Sequence, residues 1–355
     1  MRFIMALLIS VSACASPAWQ EICKKSSCNA IVDAGSSGSR FYIYSSDYTV
    51  LYSNKVQPGL AEVATENLND YLNTLVPENT ESIPVYFYGT AGMRLLDEQE
   101  QSARYQAVSD YFAAQAWKLE DIRTISGKEE GVYAWFSANA FQNKKQAVLE
   151  IGGASYQVSI PISQKTAETL ADNVAEIDTN GEKQYVWVKS FLGLGINEVE
   201  KQTSELSSCY SNGYPLANSA NGEGDINQCI KDLESMPSLD IVQQFASAKE
   251  LLQEQNLSWV TLGAIRYSAK QEKFNLEDFK NQAQAEYCQE NWDNVQQDSD
   301  KYAYRQCLSV GYYYASIIDG MGIDKKQMLY APGSDKNIDW TIGFLMLKQS
   351  HSQVH

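Results

Sequence analysis

Apolar positions along this chain follow two periods. Short runs rich in Val, Ile and Tyr, bounded by Gly, Ser or Pro, predict strands. They are AIVDAG (30–35), RFYIYSS (40–46), VYFYGT (85–90), QAVLEIGG (146–153), YQVSIPI (156–162), QYVWVKSFLG (184–193), SWVTLGAI (258–265) and QMLYAPG (327–333). Longer stretches with helical spacing predict helices over about 98–116, 129–140, 239–255 and 302–321. Such alternation argues for an α/β protein with mixed sheets. Segments 203–238 and 281–300 are polar, loop-rich and bounded by cysteines.

One stretch carries chemistry, AIVDAGSSGSRFYIY (30–44). An apolar strand delivers a single carboxylate, Asp33. The run Gly35-Ser36-Ser37-Gly38-Ser39 then turns the chain into a second strand. Small residues let backbone N–H groups approach an anion, and glycines permit the tight turn. A carboxylate at the root of such a loop repels phosphate, which suggests a metal ion between them. Taken alone, the same residues also describe an ordinary β-hairpin. The pattern returns 117 residues later: Leu149-Glu150-Ile151-Gly152 matches Val32-Asp33-Ala34-Gly35. Gly153-Ala154-Ser155 faces Ser36-Ser37-Gly38, and Val158-Ser159-Ile160 faces Phe41-Tyr42-Ile43. Two acid-tipped hairpins from two similar halves would clamp a metal-bound polyphosphate between them.

Composition narrows the chemistry. At 355 residues, 44% of them hydrophobic, the chain is long enough for two packed domains. A net charge of −16 argues against nucleic acid as a partner, because nucleic-acid binding needs Lys and Arg against phosphates. The only histidines, His351 and His355, lie in the last five residues. Ser-His-Asp catalysis and histidine-held metal are therefore not expected in the body of the chain. Acid–base work falls to carboxylates and water.

The start reads as a targeting segment over residues 1–18: Arg2, the apolar FIMALLIS, then small residues. It is too short to span a bilayer. Cleavage after Ala13-Cys14-Ala15 is one reading, and lipidation of Cys14 in a Val11-Ser12-Ala13-Cys14 box is the other. Six cysteines remain, and an even number in an exported chain suggests disulfides. They fall as local pairs, which predicts Cys23–Cys28, Cys209–Cys229 and Cys288–Cys307 among fifteen possible connectivities. A secreted or periplasmic monomer is expected.

Four stretches in order resemble the signature regions of the ecto-apyrases, the nucleoside triphosphate diphosphohydrolases. They are DAGSSGSR (33–40), YGTAGMRLL (88–96), SGKEEGVYAWFSAN (126–139) and LEIGGASYQ (149–157). SFLGLGINE (190–198), Cys288 to Trp292 and IDWTIGF (338–344) also fit, so the resemblance spans about 28–346. It implies an actin-like (ASKHA) α/β fold, with two related domains of mixed β-sheets flanked by helices and the active site in the cleft between them. The division expected is 19–160 plus about 316–355 for one domain and about 161–315 for the other. A secreted bacterial member is expected. The implied activity is hydrolysis of nucleoside tri- and diphosphates to monophosphates with Mg or Ca.

Residue by residue, the resemblance makes Glu130 the general base, with Glu129 as the rival assignment. Ser155 and Gln157 match the residues that hold the nucleophilic water. Ser36, Ser37 and Gly38 match one phosphate loop; Gly152, Gly153 and Ala154 match the other. Thr90 lies near the phosphates, and Asp33 and Glu150 hold the metal through its water shell. Arg94 either assists there or pairs with a helix acid. Tyr267, Trp292, Tyr302 and Tyr304 are candidates for stacking on the base, with Trp340 a further one. The chain departs from the family at Glu150, where Asp is usual, at Gly38, where many animal members have His, and at Tyr156, where Thr is usual. Two other functions share these features: an exopolyphosphatase-like phosphatase of the same fold, and a non-catalytic nucleotide-binding protein.

Overall fold

A computed structural model describes residues 17–140, 142, 144–179, 181–253, 256–333, 338–350 and 353–354. Nearly all of the expected targeting segment, Cys14 included, lies outside the described residues, as do His351 and His355.

Two mixed sheets organise the chain. The first contains β1 (Cys28–Gly35), β2 (Gly38–Ser45), β3 (Val50–Val56), β4 (Pro84–Gly89) and β5 (Lys118–Thr124), in the order β3-β2-β1-β4-β5. The second contains β6 (Ala147–Ile151), β7 (Ser155–Ile162), β8 (Val174–Thr179), β9 (Glu182–Leu192), β10 (Trp259–Gly263), β11 (Lys273–Phe274), β12 (Leu329–Tyr330) and β13 (Gln353–Val354). Its order is β11-β12-β10-β6-β7-β9-β8-β13. Both sheets repeat one topology. β1 pairs antiparallel with β2 and parallel with β4; β6 pairs antiparallel with β7 and parallel with β10. The echo in the sequence is thus an echo of strand pairing.

The helices that position the site are α1 (Glu98–Ala113), α2 (Gly127–Asn139), α3 (Ile196–Thr203), α4 (Gln306–Tyr314) and α5 (Trp340–Gln349). Three apolar cores separate the layers. Ala30, Val32 and Ala34 on β1 pack outward with α1 residues Val108 and Phe112. Leu149 and Ile151 on β6 pack on the opposite outer side with α3 and α4 residues Val199 and Leu308. Between the sheets, α2 and α5 form a middle layer with Ile31, Tyr86, Tyr88, Val148, Val188 and Val260. A helix apolar on every side belongs in such a layer, and α2 buries Val132, Tyr133, Ala134, Trp135 and Phe136 in succession.

The three cysteine pairings expected from the sequence are all present. Other expectations need correction. Strands β3, β5, β8, β11 and β13 were not predicted; β3, β5, β11 and β13 are sheet edges and β8 lies one strand in. Positions there need no continuous apolar face, so they leave a weaker pattern. The segment 203–238 contains a helix, Ile226–Ser235, because Ile226, Cys229, Ile230 and Leu233 fall on one buried face. The helix predicted over 302–321 is α4, followed by wider turns over Ala315–Gly320. β6 and β7, expected in the first unit, belong to the second sheet, where β6 runs parallel to β10 and β7 pairs with β9. The chain changes sheet between Thr124 and Ala147, with α2 as the crossover.

Candidate active site

Strand alternation aims the two acids at each other. Residues two apart share a face, so Asp33 lies on the middle-layer side with Ile31, and Glu150 on that side with Val148. Each acid sits near the end of its strand, just before the hairpin turn. The turns close tightly: Gly35 pairs with Gly38, and the Gly152 N–H donates to the Ser155 carbonyl at 2.9 Å. Gly38 has φ +150 and lies under Lys55 and Gln57, a position suited to glycine. The tips meet across the cleft. A Cβ on Gly153 would stand 2.6 Å from Ser36 Oγ and 2.7 Å from Asn197 Nδ2. The second tip is fixed from behind by α3, whose Ile196 and Asn197 N–H groups donate to Gly152 and Gly153 carbonyls at 2.9 and 2.8 Å.

Between the tips opens a cavity of about 770 Å³. Of the residues expected at the site, Asp33, Ser36, Ser37, Gly38, Thr90, Glu130, Glu150, Gly152, Gly153 and Ser155 line it. Ala154 is buried behind the second tip. Gln157 lies one layer back and reaches the site by hydrogen bonds. Its Nε2 donates to Glu130 Oε2 at 3.0 Å, to Ser155 Oγ at 2.7 Å and to Ser190 Oγ at 3.2 Å.

The start of α2 places Glu129 and Glu130 differently. Ser126 caps the helix and Glu129 reciprocates: Ser126 Oγ accepts from the Glu129 N–H at 3.1 Å, and Glu129 Oε2 accepts from the Ser126 N–H at 2.8 Å. Glu129 also pairs with Arg123 at 2.9 Å. Burial pushes its carboxyl up, but Arg123 and Ser126 together hold it below the usual range. Glu130, one residue on, turns into the cleft wall. Arg94 donates to its Oε2 at 2.5 Å and to Ser155 Oγ at 3.3 Å. Burial raises the Glu130 carboxyl above the ordinary range, and Arg94 opposes that shift. Arg94 therefore both pairs with a helix acid and stands at the site, because that acid is Glu130.

Four carboxylates converge here: Asp33, Glu130, Glu150 and Asp339. Burial first, then the neighbouring acids Glu130, Asp339 and Asp33, pushes Glu150 well above the usual range. Asp33 is pushed up to about 7 by burial, with Arg40 opposing and Glu130 and Asp339 adding. Sequence reasoning missed Asp339. It caps α5, its Oδ1 accepting from the Thr341 and Ile342 N–H groups at 2.9 and 3.3 Å. The capping pattern Asp-x-Thr before an apolar run was a usable signal.

The donors suit a hard divalent ion. Glu150 Oε2 is buried and has no partner among the described residues. The acids are oxygen donors, yet no group of three or more His, Cys, Asp or Glu among the described residues forms a direct cage. An ion that keeps much of its water shell fits such a set, as magnesium does.

The aromatic candidates divide. Tyr267 and Tyr302 line the cavity, and the Tyr267 ring is 60% exposed. The Arg305 guanidinium lies over the Tyr302 ring at 4.4 Å and Lys301 Nζ at 4.8 Å. Trp292 and Tyr304 do not line the cavity. They pack on Tyr214 at centroid distances of 4.8 and 6.0 Å, and the Tyr304 hydroxyl donates to Glu200 at 2.6 Å. Trp340 lines the cavity but is buried against Tyr88.

Comparison with known proteins agrees with this geometry. Residues 21–216 match the family model described as the GDA1/CD39 (nucleoside phosphatase) family. A nucleoside-triphosphatase of Caenorhabditis elegans is 24% identical, over 89% of this chain and 72% of its own. Ectonucleoside triphosphate diphosphohydrolase 3 of Mus musculus is 23% identical, over 89% and 77%. Among solved structures, a nucleoside triphosphate hydrolase from Neospora caninum superposes with a TM-score of 0.63 at 14% identity, covering 93% of this chain and 94% of that one. The fold is of the actin-like kind, with two mixed sheets flanked by helices.

Proposed function

The chain belongs to the GDA1/CD39 (nucleoside phosphatase) family, and we propose that it hydrolyses nucleoside tri- and diphosphates to monophosphates. The observation that carries this reading is the hydrogen-bonded set of Glu130, Gln157 and Ser155 on the cleft wall beside both hairpin tips. Arg94 and Gln157 occupy Glu130 Oε2, which leaves Oε1 unengaged by any described residue.

Glu130 Oε1 accepts a proton from water held by Ser155 and Gln157. The water oxygen forms a bond to the terminal phosphorus, and the bond from that phosphorus to the bridging oxygen breaks. The leaving nucleotide carries away the electron pair. Backbone amides and hydroxyls of 36–38, 152–154 and Thr90 position the phosphates. Asp33 and Glu150 are the residues that would hold a divalent ion, Mg or Ca, which would supply positive charge against the phosphate oxygens. Tyr267, exposed on the cavity wall, presents a face to the base, whereas the Tyr302 ring already carries Arg305 and Lys301. Three disulfides favour an oxidising compartment, secreted or periplasmic.

The test is phosphate release from a panel of tri- and diphosphates with magnesium, calcium or chelator. Glu130→Gln lowers kcat by about 100-fold or more, and chelation abolishes release. Wild-type turnover by a folded Glu130→Gln variant removes Glu130 from the role of base.

A further inference from the structure

Strand register places a second set of groups at the cleft that the reaction above leaves unused. Across β1, β2 and β3, Asp33 stands opposite Arg40, and Arg40 opposite Lys55. Across β6, β7 and β9, Glu150 stands opposite Gln157, and Gln157 opposite Ser190. Side chains opposite one another share a face, so each half presents a row of three that begins with its acid. The rows are equivalent in position and opposite in character. The second row ends in neutral hydrogen-bonding groups that hold Glu130. The first ends in two cations.

Both cations line the cavity, and neither forms an ion pair with a described residue. A third stands opposite. Lys301, from the far wall, donates to Gln57 Oε1 at 2.8 Å, and Gln57 Nε2 donates to the Ser37 carbonyl of the first phosphate loop at 2.9 Å. Burial first, then Arg40 and Lys301, pushes Lys55 down to about 8. Asp33 attracts Arg40 and Lys55 without forming an ion pair with either, and three like charges facing one carboxylate are costly unless a further anion sits among them.

The geometry of displacement says which anion. Attacking and leaving oxygens lie roughly in line, on opposite sides of the transferred phosphorus. In the reaction proposed above, the water sits at the second row and the two acids bracket the transferred group. The leaving side therefore falls toward the first row. Resting on the reaction proposed above, we propose that Arg40 and Lys55, with Lys301 facing them, bind the phosphate adjoining the scissile bond. They stabilise the charge it gains as it leaves.

The test uses the full chain, magnesium, and two probes of different length. Calorimetry measures binding of inorganic pyrophosphate, which spans both positions, and of inorganic phosphate, which fills one. Wild type binds pyrophosphate at least tenfold more tightly. Lys55→Gln and Arg40→Gln each weaken pyrophosphate about tenfold and leave phosphate within twofold. Lys55→Arg restores pyrophosphate affinity, which a packing role for the methylene stem would not require. On nucleotides, kcat/KM falls in parallel in the two Gln variants. Equal affinity of wild type for the two probes overturns the assignment, as does equal weakening of both by Lys55→Gln. A wild type that binds pyrophosphate in this pattern but releases no phosphate from nucleotides leaves the cation site standing and refutes the proposed reaction instead.

Discussion

Arg94→Met isolates the electrostatic problem at the centre of the site. The variant keeps most of the side chain's length and removes its charge. Arg94 and Glu130 meet at 2.5 Å, with side chains only 14% and 10% exposed. Charges centred about 4 Å apart at an effective dielectric of about 20 attract by about 4 kcal/mol. Removing one partner of a buried pair typically costs about 3–5 kcal/mol, because the other charge is left without compensation. Burial already raises Glu130, and Arg94 opposes that rise; losing Arg94 lifts the carboxyl further. A carboxyl raised in the folded state favours folding while protonated, and that contribution is lost as pH climbs from the unfolded to the folded value. The cost of Arg94→Met is therefore largest above the raised value and smaller below it. Urea unfolding at pH 8 and pH 5 reads this directly. The expected loss is about 3–5 kcal/mol at pH 8 and clearly less at pH 5, with an unchanged denaturant slope. Hydrolysis follows the same logic: the variant's pH–rate profile shifts to higher pH, because Glu130 must be ionised to act. An equal loss at both pH values, or a loss under about 1 kcal/mol at pH 8, refutes this account of the pair.

Two further perturbations test other parts of the fold. Gly343→Ala puts a methyl group onto the Tyr133 carbonyl where α5 crosses α2; overpacking of this kind costs about 1–3 kcal/mol or more, and a thermal midpoint equal to wild type would show that the crossing is looser than described. Glu234 is pushed up to about 7 by burial first and then by Asp319 beside it. Its folded form thus holds the proton better, and stability falls as pH rises from the ordinary carboxyl range toward 7. Glu234→Gln should then raise the melting temperature more at pH 8 than at pH 5, and a uniform effect would count against the pair.

The hairpins were legible because each combines an apolar strand, one acid and a run of small residues within fifteen positions. The choice of Glu130 over Glu129 comes only from the family resemblance; nothing local in the sequence separates the two, and the capping box shows only that Glu129 is engaged at the helix start. The edge strands escaped because a strand paired on one side need not be apolar throughout. Arg40 and Lys55 escaped for a different reason. Their significance lies in cross-strand register, and β3 itself was not predicted. Asp339 follows β1 by more than 300 residues in sequence, and only the return of α5 to the middle layer brings it beside Asp33. Trp292 and Tyr304, two of the candidates for stacking on the base, do not line the cavity, because aromatic content alone does not separate a stacking platform from a packed cluster.

The crossing of α2 and α5 has a mechanical side. Packed helices ordinarily stand 8–10 Å apart, at a spacing set by the side chains at the contact. Here the contact residue on α5 is Gly343, set against the Tyr133 backbone, so the two helices approach closely at this point. Ser36 and Gly153 approach each other across the cleft, at the tips of hairpins whose strands these two helices separate. A bulkier residue at Gly343 would push α2 and α5 apart, and with them Glu130 on α2 and Asp339 at the start of α5.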